Sequence, residues 1–170
     1  IPWMEYRLGR DLQPDWDWLH GHARSDSVVI LNSYFGVVTP CPDRTEQLRV
    51  DTGARMLLDH AQSLYAPCPS GCAAFYSPRK FVGVPDGGFL LTGVDSGVET
   101  PPAPVGQAAP DLFSERLRCL GLRREYGSAE AYEMFRRLEE MIPAGPCAMS
   151  RLSSDLFDSL DHASIASTRR

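Results

Sequence analysis

Ala73–Thr92 reads AAFYSPRKFVGVPDGGFLLT. Pro and Gly punctuation between hydrophobic runs divides it into a short apolar strand (CAAFYS), a polar turn carrying Lys80, a Gly87-Gly88 hinge and a second apolar strand (GFLLTG). Lys80 is the only lysine among 17 basic residues. Arginine cannot replace it in covalent chemistry with a carbonyl, because only an amine whose proton can leave forms a Schiff base. The plain alternative is that an Arg- and Ala-rich composition depletes lysine everywhere and leaves one ordinary surface residue.

Upstream, Ser27–Phe35 (SVVILNSYF) is apolar on consecutive positions, the pattern of a parallel strand buried on both faces, and Gly36 stops it. Pro42 and Asp43 open and Gly53 closes PDRTEQLRVDTG, the asymmetry of a helix packed across a sheet. Arg55–Asp59 (RMLLD) is the next strand, with Asp59 at its carboxyl end, and residues 63–71 are loop. Near the start, Trp16 and Leu19 lie at helical spacing within Asp15–Ala23, with acidic residues in the first turn. Alternation in residues 1–14 predicts an edge strand around Trp3–Arg7. Strands recurring with a helical crossover predict an α/β fold, mainly a parallel sheet flanked by helices, whose ligands gather beyond the carboxyl ends of the strands.

Downstream, residues 94–110 are rich in Pro, Gly and Ala without periodicity, as in a linker or long loop. Helical patterning begins at Asp111. Ser128 is the expected N-cap of a second helix, in which Ala131, Met134, Phe135, Leu138 and Met141 or Ile142 form one apolar stripe that Pro143 and Gly145 end. A last helix is expected near Ser154–Leu160, and Thr168–Arg170 resembles the start of another. The organisation expected is a partial α/β domain over 1–93, the 94–110 connection, and a helical segment over 111–170. Beginning at Ile1 and ending on Arg170, the chain reads as an internal piece of a longer protein.

The chain has 170 residues, 43% of them hydrophobic, enough for a real core. A net charge of -5 without a basic block argues against nucleic acid or an anionic membrane surface as partner. No apolar run approaches the roughly 20 residues of a membrane span, and no signal-peptide core is present, so a cytoplasmic location is the default. Cys41, Cys68, Cys72, Cys119 and Cys147 read as free thiols; Cys68 and Cys72 in CPSGC lack the spacing of a zinc knuckle, and His20 and His22 read as an exposed pair.

Asp59 and Gln62 in DHAQ, with Ser77 preceding Lys80 by three residues, form the set that pyridoxal phosphate requires. A lysine holds the aldehyde, a carboxylate keeps the pyridine nitrogen protonated, a hydroxyl takes the phosphate and a polar side chain meets the ring hydroxyl. Together VVILNSYFG, RMLLDHAQSLY and CAAFYSPRKFVGVPDGGFLLT resemble the central large-domain segment of fold-type I pyridoxal-phosphate enzymes, most closely the DegT/DnrJ/EryC1/StrS group of sugar aminotransferases. The resemblance covers about residues 27–92, and Gly87-Gly88 keeps the group's seven-residue spacing from the lysine. Ser77 stands nearer Lys80 than in most of that group.

The resemblance implies pyridoxal 5'-phosphate as cofactor. Lys80 is then the internal-aldimine lysine and proton-transfer base, Asp59 the pyridinium partner, Gln62 a ring-hydroxyl contact and Ser77 a phosphate ligand. It further implies a transaminase with an amino-acid donor and a nucleotide-linked keto-sugar acceptor, acting as a homodimer with sites at the subunit interface. The group's phosphate loop, ring-stacking residue and small domain lie in sequence outside this chain. Two rival readings are a pyridoxal-phosphate enzyme of another reaction type, and a non-catalytic α/β interaction domain.

Overall fold

The computed structural model describes residues 2–99, 110–142 and 147–168. The chain divides into two compact units, Ile1–Ser77 with Phe89–Thr100, and Pro78–Gly88 with Pro101–Arg170. The first unit contains α1 (Trp16–His22), β1 (Val28–Asn32), α2 (Pro42–Thr52), β2 (Arg55–His60), β3 (Cys72–Tyr76) and β4 (Phe89–Thr92). Its sheet has the order β1-β2-β3-β4. β1, β2 and β3 run parallel, and β4 returns antiparallel to β3. The α/β class and mostly parallel sheet expected from the sequence are present.

Local chemistry explains most of these elements. Asp15 caps α1 by accepting from the Trp18 amide at 3.0 Å. Pro42 opens α2, and Gly53 closes it in the left-handed region at φ 68, where a side chain would be strained. β2 and β3 are joined by residues 61–71 without a helix. Instead, Tyr76 Oη donates to the Ala66 carbonyl at 3.0 Å, pinning that loop to β3.

Most of the core lies on one side of the sheet, although Ala73 is buried on the other. Leu31, Met56, Cys72 and Ala74, with Leu48 of α2 and Leu19 of α1, are almost fully buried. Each large aliphatic side chain so buried contributes about 1.5–3 kcal/mol. The opposite face is more open: Val28 is 53% and Ile30 49% exposed. Burial in β1 therefore alternates. The two-sided burial expected of SVVILNSYF does not occur, because β1 is the edge strand and α1 and α2 supply the buried side. Nor does Trp3–Arg7 form a strand. Tyr6 Oη donates to the Ile30 carbonyl at 2.7 Å, and the nearest strand-like pairing is an isolated bridge between Leu8 and Pro14.

The second unit contains a one-turn 3₁₀ helix, Pro78–Lys80, and four helices: α3 (Pro110–Tyr126), α4 (Ser128–Glu140), α5 (Arg151–Asp158) and α6 (His162–Thr168). α3 and α4 form a helical hairpin about Gly127, whose φ of 98 turns the chain. Gly127, not Ser128, occupies the N-cap. Leu112, Cys119, Ala131 and Leu138 are its buried core, with Leu122 and Met134 against them. Of the predicted stripe, Phe135, Met141 and Ile142 are largely exposed. The last-helix expectation shifts upstream: Ser150 accepts from the Ser153 amide at 3.2 Å and starts α5 earlier. Thr168, where the sequence suggested the start of a further helix, is instead the last residue of α6. Residues 100–109, Pro143, Gly145, Arg169 and Arg170, to which the linker and helix-stop expectations also refer, lie outside the described residues.

Candidate functional site

Three parallel strands end at one edge of the sheet, and β2 is the middle strand of the three. Asp59, next to last in β2, pairs in register with Asn32 of β1 and Phe75 of β3. Residues paired this way share a face, so Asp59 lies on the open side with Leu57 and Ile30. Its side chain is partly buried. The Ala61 amide donates to its Oδ1 at 2.9 Å, which orients the carboxylate at the strand terminus.

One residue on, the side chain alternates to the helix-covered side, and His60 is 2% exposed. Ser33 and the Pro67 carbonyl hold its two ring nitrogens. Burial pushes the imidazole below its ordinary pKa, against weaker opposing effects of the Pro67 carbonyl and the Asp59 charge. Sequence reasoning passed over His60, which is the buried anchor beneath Asp59. Its strand-final position offered a signal, but its serine partner is 27 residues away.

Gln62 is exposed in the loop after β2. A Cβ added to Gly36 would lie 3.3 Å from the Gln62 carbonyl, so the turns following β1 and β2 approach closely. Phe35 is held at φ 57, with the Tyr34 amide donating to the Val38 carbonyl at 2.7 Å across the turn. That geometry leaves its ring 72% exposed at this edge. Ser77, partly buried, follows the last residue of β3. Asp59 and Ser77 thus lie at the carboxyl ends of neighbouring parallel strands.

Lys80 belongs to the second unit, as the last residue of the 3₁₀ turn, and is exposed. Its neighbour Arg79 donates through Nη1 to Glu139 Oε1 at 2.9 Å. Of the four residues singled out from the sequence, Asp59, Gln62 and Ser77 are carried by the first unit at one sheet edge, and Lys80 by the second.

The first unit offers an oriented carboxylate and, at the next strand end, a hydroxyl; the second unit carries an exposed primary amine. Among the described residues no cluster of three or more His, Cys, Asp or Glu side chains could hold a metal ion, and no helix is long and apolar enough to cross a membrane. Cys41, Cys68, Cys72 and Cys119 are free thiols. No family model matches the sequence, and no curated protein and no solved structure is significantly similar to it.

Proposed function

We propose that the chain carries the cofactor-binding part of a pyridoxal-phosphate-dependent aminotransferase. The observation that supports this is the position of Asp59: an oriented, partly buried carboxylate at the carboxyl end of the central parallel strand, with Ser77 ending the neighbouring strand. Ligands of open α/β sheets gather at that edge. These residues fit the group. Asp59 would hold a proton on the ring nitrogen, Ser77 would donate to the phosphate, and Gln62 would meet the ring hydroxyl. Lys80, three residues along the chain from Ser77, would hold the aldehyde carbon.

The cofactor, when bound, supplies an electron sink for a substrate carbanion. This chain's residues do the remainder. The Lys80 amine would take a proton from the substrate α-carbon and give one back as a general acid. Asp59 would hold its negative charge toward the ring nitrogen. An amino acid is the proposed donor and a keto-sugar, nucleotide-linked, the proposed acceptor. A homodimer in the cytoplasm is the proposed working form.

A second reading, a non-catalytic interaction domain, is favoured by the exposed aliphatics Val28 and Ile30 on the open sheet face. The deciding experiment adds pyridoxal phosphate to the purified chain, records the absorbance spectrum, reduces with borohydride and maps the modified peptide. The aminotransferase reading expects one modified peptide, containing Lys80. Absence of a specific adduct, or one that persists in a Lys80→Ala chain, would remove it in favour of the interaction domain.

A further inference from the structure

The second unit holds a cleft of about 280 Å³ lined by α3, α4 and the Val84-Pro85 segment. Its lining combines two chemistries. Leu120, Ala131, Phe135 and Leu138 are apolar, whereas Arg79, Arg116, Arg123 and Glu139 are charged. Two of the three guanidiniums, those of Arg79 and Arg116, share the Glu139 carboxylate. Glu139 Oε1 lies 2.9 Å from Arg79 Nη1 and 3.7 Å from Arg116 Nη2. The first distance is a hydrogen bond; the second is an ion pair only.

Arg116 is the unusual member. Its side chain is 12% exposed, and its Nε and Nη2 are buried without a hydrogen-bond partner. A guanidinium has donors but no acceptor, so those donors can be satisfied only by an acceptor brought to them. Buried donors left unmade cost more than an ordinary hydrogen bond returns. Burial, and next the like charge of Arg79, push the Arg116 pKa below its ordinary value, with the Glu139 and Asp86 charges acting in the opposite sense. Asp86 acts on Arg116 through its charge, but its Oδ1 is engaged by the Ser150 amide and hydroxyl at 3.1 and 3.0 Å. Its Oδ2 is also without a hydrogen bond, so it makes none to Arg116.

We infer that this cleft binds a small organic monocarboxylate, its carboxylate received by Arg116 and Arg79 and its apolar or aromatic body lying against Phe135 and Leu120. The planar fork of a guanidinium matches a carboxylate, and charge-assisted bonds of that kind are the strong ones. The volume is at the lower end of small-ligand sites, too small for a nucleotide. The apolar lining favours an organic acid over inorganic phosphate. This site is independent of the cofactor reading, since it uses neither Lys80 nor Asp59.

The test titrates 3-phenylpropionate into the full chain by calorimetry and by NMR line broadening, with 3-phenylpropanamide and inorganic phosphate as controls. Saturable single-site binding of the acid is expected, with the neutral amide weaker by about tenfold or more, the loss that a charge-assisted pair implies. Arg116→Gln should lose affinity by a similar factor. Glu139→Gln should tighten binding, because the internal competitor for both guanidiniums is gone. If Arg116→Gln fails to fold, Glu139→Gln and the acid-to-amide ratio in the unaltered chain decide the matter. Absence of saturation, equal binding of acid and amide, tighter binding of phosphate, or unchanged affinity in Glu139→Gln would each overturn the assignment.

Discussion

Ser33 Oγ and His60 Nδ1 lie 2.8 Å apart in the interior, joining the ends of two neighbouring parallel strands. His60 Nε2 lies 3.3 Å from the Pro67 carbonyl oxygen. A carbonyl only accepts, so Nε2 carries the hydrogen and Nδ1 accepts from the Ser33 hydroxyl. The imidazole is neutral, and one side chain ties β1, β2 and the loop after β2 together.

This neutrality gives the fold an acid-side dependence. Burial lowers the folded-state pKa of His60 below the ordinary histidine value of about 6.5, so the unfolded chain takes up the proton first. The stability that depends on neutral His60 is fully present above about pH 6.5 and is lost as pH falls from there toward the folded pKa. Thermal midpoints measured from about pH 8 to pH 5 should fall, and His60→Gln should be less stable at pH 8 yet show a shallower fall. Equal slopes in the two chains would assign the acid dependence to other groups.

The two faces of β1 should respond differently to substitution. Leu31 is 0% exposed, and Leu31→Ala is expected to cost about 2–5 kcal/mol through lost burial and a residual cavity. Ile30 is 49% exposed, and Ile30→Thr should stay within about 1 kcal/mol of the parent. Urea unfolding followed by circular dichroism compares them. Similar large losses at both positions would show that the second face is also covered in solution.

Two glycines make opposite predictions for the same substitution. A Cβ on Gly93 would sit 2.8 Å from the Cys72 carbonyl and 3.1 Å from that of Pro69, both backbone atoms that cannot swing aside. Gly93→Ala should destabilise the first unit by about 1–3 kcal/mol. At Gly121, inside α3, a Cβ meets nothing within 4 Å. Gly121→Ala should therefore stabilise that helix by about 0.5–1 kcal/mol. Thermal unfolding of both chains is the check, and a stabilised Gly93→Ala would refute the packing of β4 against the residues 69–72 turn.

Asp59 and Lys80 carry separable parts of the proposed chemistry. Lys80→Ala should abolish the borohydride-fixed adduct. Asp59→Asn should retain an adduct at Lys80 while slowing amino transfer from glutamate by about two to three orders of magnitude, the size of removing one preorganised charge from an active site. Single-turnover absorbance changes measure this. Unaltered transfer in Asp59→Asn would deny Asp59 its role.

Much of the first unit was legible because its signals are local. Pro42 and Gly53 bracket α2, Asp15 caps α1, and the apolar runs of β2 and β3 end at Pro- and Gly-rich loops. The same locality put Asp59 at a strand end. Legibility failed where the outcome depended on a neighbour distant in sequence. Trp3–Arg7 alternates like a strand, yet it does not pair along the free edge of β1, and Tyr6 meets Ile30 there through its hydroxyl. Phe135 sits on an apolar stripe that reads as core, but it lines a cleft. Arg116 showed no signal at all, because the cluster around Glu139 joins residues from three separate stretches, Arg79 among them at a separation of 60.

What the sequence alone determined was the succession of strands and helices, the α/β class and the end of β2 at which Asp59 stands, since hydrophobic period, capping and turn chemistry act over a few residues. Tertiary structure decided which face of β1 is buried, that β4 runs antiparallel, that His60 is neutral and held by Ser33, and that a buried arginine lacks partners. Burial and electrostatics are sums over whatever the fold brings near, and here two of the decisive pairs, Ser33–His60 and Arg79–Glu139, are 27 and 60 residues apart.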